Sequence, residues 1–190
     1  MDILIGAING HDTTEGGCLM ASEIIVQPVR DVDRVWVEQF VQTRWRNSYV
    51  IAHGAAYEVQ KLPGFLAWLE NERAGLLTYH VEDEECEIVT LDSLRPASGV
   101  GTALIDAMKA LTLHAHYKRL WLITTNDNLH ALRFYQRRGL VLVAVHRNAI
   151  EQSRKLKPQI PKLGYDNIPV RDEIELELIL DADEHFDYVN

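Results

Sequence analysis

The feature that most constrains this fold is a pair of glycines placed where an apolar run gives way to a helical pattern. The apolar run at residues 86–91 is followed by SGVGTALIDAM at residues 98–108. Gly99 and Gly101 leave backbone N–H groups uncovered at the start of the predicted helix, because no Cβ atom lies over them. Such a helix start favours an anion. The segment therefore predicts a strand, a turn and a helix that begins at an anion site; a turn that binds nothing is the alternative.

A second strand-and-helix pair follows along the chain. The apolar run RLWLITT precedes NLHALRFYQRRG at residues 128–139, in which Asn128, Ala131, Tyr135 and Gly139 keep offsets of 0, 3, 7 and 11. Asn128 is a good N-cap for a helix, and Gly139 is placed to end it. Tyr135 on the apolar face of this helix is explained equally by core packing.

These two segments together resemble the acyl-CoA-binding half of the GCN5-related N-acetyltransferase (GNAT) superfamily. The resemblance covers about residues 23–180 and is specific from Glu87 to Gly139. It implies acetyl-CoA as cosubstrate, with the pyrophosphate on the amides of five successive residues: Gly99, Val100, Gly101, Thr102 and Ala103. Two places depart from the family pattern: Pro96 stands where Gln or Arg is usual, and Ala97 and Ser98 replace the usual extra glycine. Arg95, one residue earlier, does not match the family position directly; it is a candidate ligand of the phosphates or of the adenosine 3′-phosphate.

The resemblance also implies roles along the rest of the CoA arm. Backbone groups of Leu91 and Ser93 would pair with the pantetheine amides like an added strand. The Leu91 N–H would face the thioester carbonyl and stabilise an oxyanion. Asn128 would contact the CoA arm, and Tyr135 would protonate the departing thiolate.

Two carboxylates on the strand before the glycine loop are candidates for the general base. Glu85, Glu87, Val89 and Leu91 share a face by the period of two, and a carboxylate there could take a proton from an ammonium acceptor. Glu87 is the first candidate and Glu85 the second; solvated or salt-bridged carboxylates are the alternative. The same period places Cys86 on the face opposite Leu91, away from a nucleophile's position.

The order of patterns predicts the architecture. A strand at residues 23–29, a helix, a strand at residues 49–54 and a hairpin around residues 71–75 precede an alternation of strands and helices. We expect an α/β (α+β) fold in which helices lie on the faces of a mixed sheet. The resemblance implies that this sheet is GNAT-like: mostly antiparallel and twisted, of about seven strands, with helices on both faces. The resemblance implies that strands four and five splay apart.

Composition bounds the remaining possibilities. With 190 residues, we expect a flexible N-terminal extension at residues 1–22 and a single GNAT-like acyltransferase domain at residues 23–190. A net charge of −9 argues against a nucleic-acid partner. Neither a secretory signal, nor an apolar run long enough to span a bilayer, nor metal-ligand spacing is found, so we expect a cytoplasmic protein with no membrane partner and no metal.

The function that follows is an N-acetyltransferase in which an amine of a small molecule or peptide attacks acetyl-CoA directly. The alternatives are a non-catalytic acyl-CoA sensor and an α/β binding protein with no nucleotide. The long region at residues 147–170 is expected to wall the acceptor pocket or to form a homodimer contact. The identity of the acceptor is not encoded in these motifs.

Overall fold

The structure is a computed structural model that describes residues 23–45 and 49–180. The predicted extension, residues 1–22, lies outside the described residues. The division of the chain into an extension and one domain therefore stays a prediction.

The described residues form nine strands and four α-helices. The strands are β1 (Ile24–Pro28), β2 (Tyr49–Ala52), β3 (Ala55–Glu58), β4 (Gly64–Leu69), β5 (Glu72–Glu82), β6 (Glu85–Ser93), β7 (Arg119–Thr125), β8 (Val141–His146) and β9 (Glu173–Ile179). The helices are α1 (Arg34–Trp45), α2 (Val100–His114), α3 (Leu129–Gln136) and α4 (Ala149–Leu156). Short 3₁₀ turns precede α1, follow β3 and precede β9.

Seven strands form the main sheet, in the order β1-β4-β5-β6-β7-β9-β8. Every neighbouring pair is antiparallel except β6 and β7, the fourth and fifth strands of this order. Their parallel pairing runs from Glu85↔Arg119 to Ile88↔Leu122 and then stops, although both strands continue. The predicted splay is therefore present, and it begins immediately after Ile88.

Helices cover both faces of the sheet, as predicted. On one face, α2 and α3 pack over an apolar core that includes Leu77, Ile88, Leu91, Leu104, Met108, Phe134 and Tyr135. On the other face, α1 and α4 pack over a second core that includes Val37, Val41, Leu66, Leu76, Val89 and Ile150. The mixed α/β class with a mostly antiparallel seven-stranded sheet is confirmed.

A β-bulge corrects the predicted face of β6. The register shifts between Thr78 and Tyr79 of β5, so that Thr78 pairs with Thr90 but Tyr79 pairs with Ile88, leaving Val89 as the extra residue. The alternation of side chains is reset at this point. Leu91 consequently shares a core with Cys86, while Glu87 remains on the other face, so the predicted common face of Glu87 and Leu91 is wrong.

The predicted strand at residues 49–54 is a hairpin. Strands β2 and β3 pair antiparallel and are joined by His53 and Gly54, whose φ values are 50° and 72°. Two successive residues with positive φ make the tight turn that suits the twist of a two-residue hairpin. The turn between β4 and β5 is likewise shorter than predicted and consists of Glu70 and Asn71 alone.

The region that follows α4 is tied to the loop between β7 and α3. Asp127 accepts a hydrogen bond from the Tyr165 N–H through Oδ2 at 3.0 Å, and Asn126 Oδ1 accepts from the N–H groups of Arg171 and Asp172. A Cβ added at Gly164 would meet Asp127 Oδ2 at 1.8 Å. Gly164 therefore allows this contact to form.

Gly164→Ala is expected to lower the free energy of unfolding by roughly 2–3 kcal/mol, because the new methyl group overlaps the Asp127 carboxylate. Gly54→Ala is the control, since its Cβ would meet nothing within 4 Å and only its positive φ resists the change. Chemical denaturation measures both. A smaller loss for Gly164→Ala than for Gly54→Ala would contradict the contact.

Candidate active site

The glycine loop turns directly into helix α2. Gly99 caps α2 with φ 88°, in the left-handed region, and helix α2 starts at Val100. The preceding turn is held by two hydroxyls that donate to the Arg95 carbonyl oxygen, Ser98 Oγ at 2.6 Å and Ser93 Oγ at 3.0 Å. The first N–H groups of α2 are thus presented from an ordered turn.

A cation that the sequence analysis did not single out lies beside this turn. Arg138, two residues beyond α3, donates from Nε to Thr102 Oγ1 at 3.2 Å and from Nη1 to the Phe134 carbonyl oxygen at 2.8 Å. Its guanidinium also stacks on the Phe134 ring, 3.5 Å from the centroid. The first turn of α2 therefore carries a fixed positive charge beside its N–H groups. Of the five amides predicted to bind phosphate, that of Ala103 already donates to the Gly99 carbonyl oxygen at 3.0 Å, and that of Val100 lies 3.5 Å from Ser98 Oγ.

The predicted phosphate ligand Arg95 has another partner. Its guanidinium pairs with the Glu72 carboxylate, and both side chains are more than half exposed. An exposed ion pair of this kind contributes little and can exchange for a phosphate. Arg95 lies on the same loop as Gly99, as predicted, but Arg138 is the better-fixed cation.

Backbone groups of β6 face the splay. The Leu94 N–H donates to the Ala74 carbonyl oxygen at 2.7 Å. Because hydrogen-bonded and outward-facing residues alternate along an antiparallel strand, Ser93 and Leu91 direct their N–H and C=O groups away from β5. On that side β7 has already diverged from β6. The predicted free edge at Leu91 and Ser93 is consistent with this geometry.

Tyr135 is completely buried, and its hydroxyl has no hydrogen-bond partner in the structure. Its ring packs edge-on against Phe134, 5.1 Å between centroids. Burial, together with the nearby Asp92 carboxylate, raises the pKa of Tyr135 well above its ordinary value. The phenol therefore keeps its proton, and a buried hydroxyl without a partner is costly unless something else accepts from it.

Asn128 caps α3, and its Oδ1 accepts from the Ala131 N–H at 3.1 Å. The helix ends at Gln136, two residues earlier than predicted, and a turn leads from there to Gly139, whose φ of 89° is in the left-handed region. Capping occupies one oxygen and leaves the amide group of Asn128 for other contacts.

A polar cavity of about 370 Å³ lies on the face of the sheet that is opposite to α2 and α3. It is lined by His53 and Tyr57 of the β2–β3 hairpin, by Trp121 of β7, and by side chains of the β5–β6 hairpin, four of which are carboxylates: Glu82, Asp83, Glu85 and Glu87. Both predicted base residues line this cavity, whereas Tyr135 lies in the apolar core behind the splay.

Glu87 is the buried carboxylate of this cavity, with 3% of its surface exposed. Tyr57 OH donates to Glu87 Oε2 at 2.7 Å, while Oε1 has no partner in the structure. Burial raises the pKa of Glu87, and the negative charges of Glu173 and Glu175 add to the rise, whereas the Tyr57 hydrogen bond and His53 oppose it. A carboxylate with a raised pKa and a free oxygen is suited to accept a proton.

Glu85 is held differently. Arg119 Nη1 donates to Glu85 Oε2 at 3.0 Å, and the same guanidinium bonds Glu175 and Glu177 of β9. The Glu85 carboxylate is thus occupied by an ion pair, whereas Glu87 Oε1 has no partner in the structure. The structure therefore favours Glu87 over Glu85.

The fold and both sites now permit comparison with known proteins. The profile of the Acetyltransferase (GNAT) family matches residues 29–140. The chain belongs to the GNAT acetyltransferase family. This acetyltransferase is 36% identical over 159 residues to the uncharacterized protein YdhI of Bacillus subtilis (strain 168), covering 83% of this chain and 99% of YdhI. It is 39% identical over 150 residues to the uncharacterized protein YxbD of the same strain, covering 78% of this chain and 94% of YxbD.

The fold of this GNAT acetyltransferase is similar to solved structures of the family. A GNAT family acetyltransferase from Elizabethkingia anophelis, whose crystal structure has acetyl-CoA bound, superposes with a TM-score of 0.58. The two sequences are 20% identical, and the match covers 83% of this chain and 98% of that chain.

Three features of the GNAT site were not predicted from the sequence. Tyr57 and His53 reach the cavity because β2 and β3 form a hairpin, for which the His53-Gly54 pair was the available signal. Arg138 had no motif of its own. Trp121 was visible as an apolar residue of β7, but nothing in its strand indicated that it faces a polar cavity.

Cys86 is poorly placed to act as a nucleophile in this acetyltransferase. It is a buried free thiol in the α2 core, and burial raises its pKa to about 12, with the Glu87 charge adding to the effect. A thiol with this pKa is not a thiolate at neutral pH. The predicted exclusion of Cys86 as nucleophile therefore has a sound reason, although the argument from strand alternation was wrong.

Residues 23–45 and 49–180 contain no group of three or more His, Cys, Asp or Glu side chains that could hold a metal ion. In the same part of the chain, none of the helices combines the length and the apolar character needed to cross a membrane.

Proposed function

We propose that this enzyme transfers an acetyl group from acetyl-CoA to an amine of a small molecule or peptide by direct attack. One observation carries the proposal. Glu87, buried with a free carboxylate oxygen, faces a polar cavity one residue before the point where β6 and β7 separate. A proton acceptor and an opening through the sheet are thus adjacent.

Acetyl-CoA would lie in the splay, with its pyrophosphate on the N–H groups of residues 99–103 and beside Arg138. Support comes from the left-handed Gly99, from the fixed guanidinium, and from the unpartnered Tyr135 hydroxyl. Leu91 and Ser93 would pair with the pantetheine arm, and Asn128 would contact it through the amide group that capping leaves available. The acetyl-CoA-bound relative supports this choice of cosubstrate.

The reaction would begin with the loss of a proton from the acceptor ammonium to Glu87. The neutral amine then attacks the thioester carbonyl, and the oxyanion that forms is stabilised by the Leu91 N–H. As the carbon–sulfur bond breaks, Tyr135 donates its proton to the departing sulfur. The attacking nitrogen still carries one proton more than the amide product and loses it to solvent, Tyr135 is reprotonated in turn, and Glu87 releases the first proton to solvent. No acyl-enzyme forms, because the amine itself is the nucleophile.

Tyr135→Phe is expected to lower kcat by about 10²-fold, the usual loss of a general acid, while the Kd for acetyl-CoA stays nearly constant. The reason is that only the hydroxyl is removed and the ring keeps its packing against Phe134. Calorimetry measures Kd, and rapid-quench kinetics measures the chemical step. An unchanged chemical step would assign Tyr135 to core packing.

A non-catalytic acyl-CoA sensor is the alternative, because the CoA half of the site does not require the base. The test is steady-state release of CoA with a panel of amines. Transfer to any amine supports the enzyme; tight acetyl-CoA binding without release supports the sensor; and no stabilisation by acetyl-CoA removes both. The cytoplasmic location and the possible homodimer remain part of the proposal.

A further inference from the structure

We infer that the acceptor carries a second positive charge about 7 Å from its reacting nitrogen. This is the distance that two residues span along a β-strand. The second charge would be held by Glu82 and Asp83 at the mouth of the cavity while Glu87 receives the reacting ammonium. This inference rests on the proposed acetyl transfer and specifies its substrate as a short diamine.

The cavity floor is a ladder of paired side chains. Glu87 lies opposite His80, and Glu85, two residues earlier on β6, lies opposite Glu82. Side chains directly opposite one another on an antiparallel pair share a face. Glu82 and Glu85 therefore line the same cavity as Glu87, nearer its mouth.

The pair of Glu82 and Glu85 is unfavourable by itself, because like charges directly opposite each other destabilise a strand pair. Arg119 offsets the charge of Glu85 only. Among the described residues, neither Lys nor Arg pairs with Glu82 or Asp83. His80 Nε2 lies 4.0 Å from Glu82 Oε2, beyond a good hydrogen bond.

A buried polar atom indicates that the cavity is built for a ligand. Glu87 is 97% removed from solvent, yet its Oε1 is unpartnered and the residue lines the cavity. An ammonium would satisfy this oxygen. Two aromatic side chains lie beside Glu87: Trp121 is its register partner on β7, and Tyr57 donates to its carboxylate. The Arg119 guanidinium already lies over one face of Trp121, 5.1 Å from the ring centroid, so Tyr57 is the aromatic ring that remains for a cation. Acidic residues at two levels of one sheet face, with an aromatic ring at the inner level, match a cation at each end of a short apolar chain.

The substrate series that tests this uses three amines of equal chain length. These are 1,4-diaminobutane, butylamine and 4-aminobutanoate, in which the second group is positive, neutral and negative. We expect kcat/KM to fall in that order, with the diamine at least tenfold better than the monoamine at low salt. Because Glu82 and Asp83 are exposed, the preference should shrink as salt is added.

The variant that tests it is the double change Glu82→Gln with Asp83→Asn. We expect the preference for diamine over monoamine to fall about fivefold to tenfold, since each exposed carboxylate contributes modestly. Glu84→Gln is the control: it removes one negative charge from the same turn, but Glu84 pairs with Lys118 and does not line the cavity. The Glu84→Gln variant should keep the same preference for diamine over monoamine as the unchanged enzyme.

Three results would overturn the inference: equal kcat/KM for diamine and monoamine, an unaltered preference in the double variant, or a peptide N-terminal amine preferred over the diamine. Failure of the proposed function looks different, because none of the amines would then be acetylated. In that case thermal stabilisation by the three amines, with CoA present, still tests the second charge. Greater stabilisation by the diamine than by butylamine supports it, and equal stabilisation refutes it.

Discussion

Glu87→Gln is expected to lower kcat/KM by about 10²–10⁴-fold at neutral pH, the range for loss of a general base. Glutamine keeps the size of the side chain and can still accept from Tyr57 OH, but it cannot take a proton from an ammonium. In the unchanged enzyme kcat/KM should rise with pH through the pKa of Glu87. Since burial raises this pKa, this rise, the acidic limb of the pH profile, should lie at a higher pH than the ordinary titration range of a carboxyl group. The Glu87→Gln variant should lack the limb.

Two further variants make this result specific. Glu85→Gln lies two residues away on the same face and removes an ion pair with Arg119, so it should leave the limb in place. Tyr57→Phe removes a hydrogen bond that lowers the pKa of Glu87, so the limb should move to higher pH rather than disappear. If Glu85→Gln instead abolishes the limb, the base is Glu85; if all three profiles coincide, the cavity does not supply the base.

Gly101→Glu should abolish the stabilisation of the protein by acetyl-CoA. Without the change, a ligand at one hundred times its Kd is expected to add about 2.7 kcal/mol. The new carboxylate would stand in the first turn of α2, where it repels a phosphate. A Cβ at this position would also meet Phe134 Cζ at 3.0 Å and so displace the ring on which Arg138 stacks.

Ala110→Glu is the matched control, because it places the same charge on an exposed position of the same helix, away from its start. If Gly101→Glu does not fold, Thr102→Glu adds the charge one residue later at a part-buried position. Thermal melts with and without acetyl-CoA measure all three. Undiminished stabilisation of both loop variants would show that the phosphates bind elsewhere.

The parts predicted from the sequence were those that local chemistry determines. Gly99 and Gly101 directly after an apolar run indicated the turn into α2, and Asn128 and Gly139 marked both ends of the α3 region. The sheet of seven strands and its splay came from the family resemblance, since the apolar run of β6 contains nothing that states its register. Glu87 was found because the resemblance pointed to its strand.

The parts that were missed depend on contacts between distant residues. The bulge at Val89 reverses the faces of β6, and a bulge has no reliable signature in a run of β-branched residues. Tyr57 meets Glu87 only because a hairpin folds over the sheet. The hydrogen bond from Arg138 to Thr102 likewise joins the turn after α3 to the first turn of α2, which are far apart in the sequence.

Direct acetyl transfer is tested most plainly by mass spectrometry of both reactants. The protein is incubated with acetyl-CoA alone and then with 1,4-diaminobutane and the other amines of the panel. The account predicts an acetylated amine and released CoA, with the mass of the protein unchanged at every stage. Bound acetyl-CoA with no acetylated amine from any acceptor, or an acetyl group retained on the protein and then passed to the amine, would contradict it.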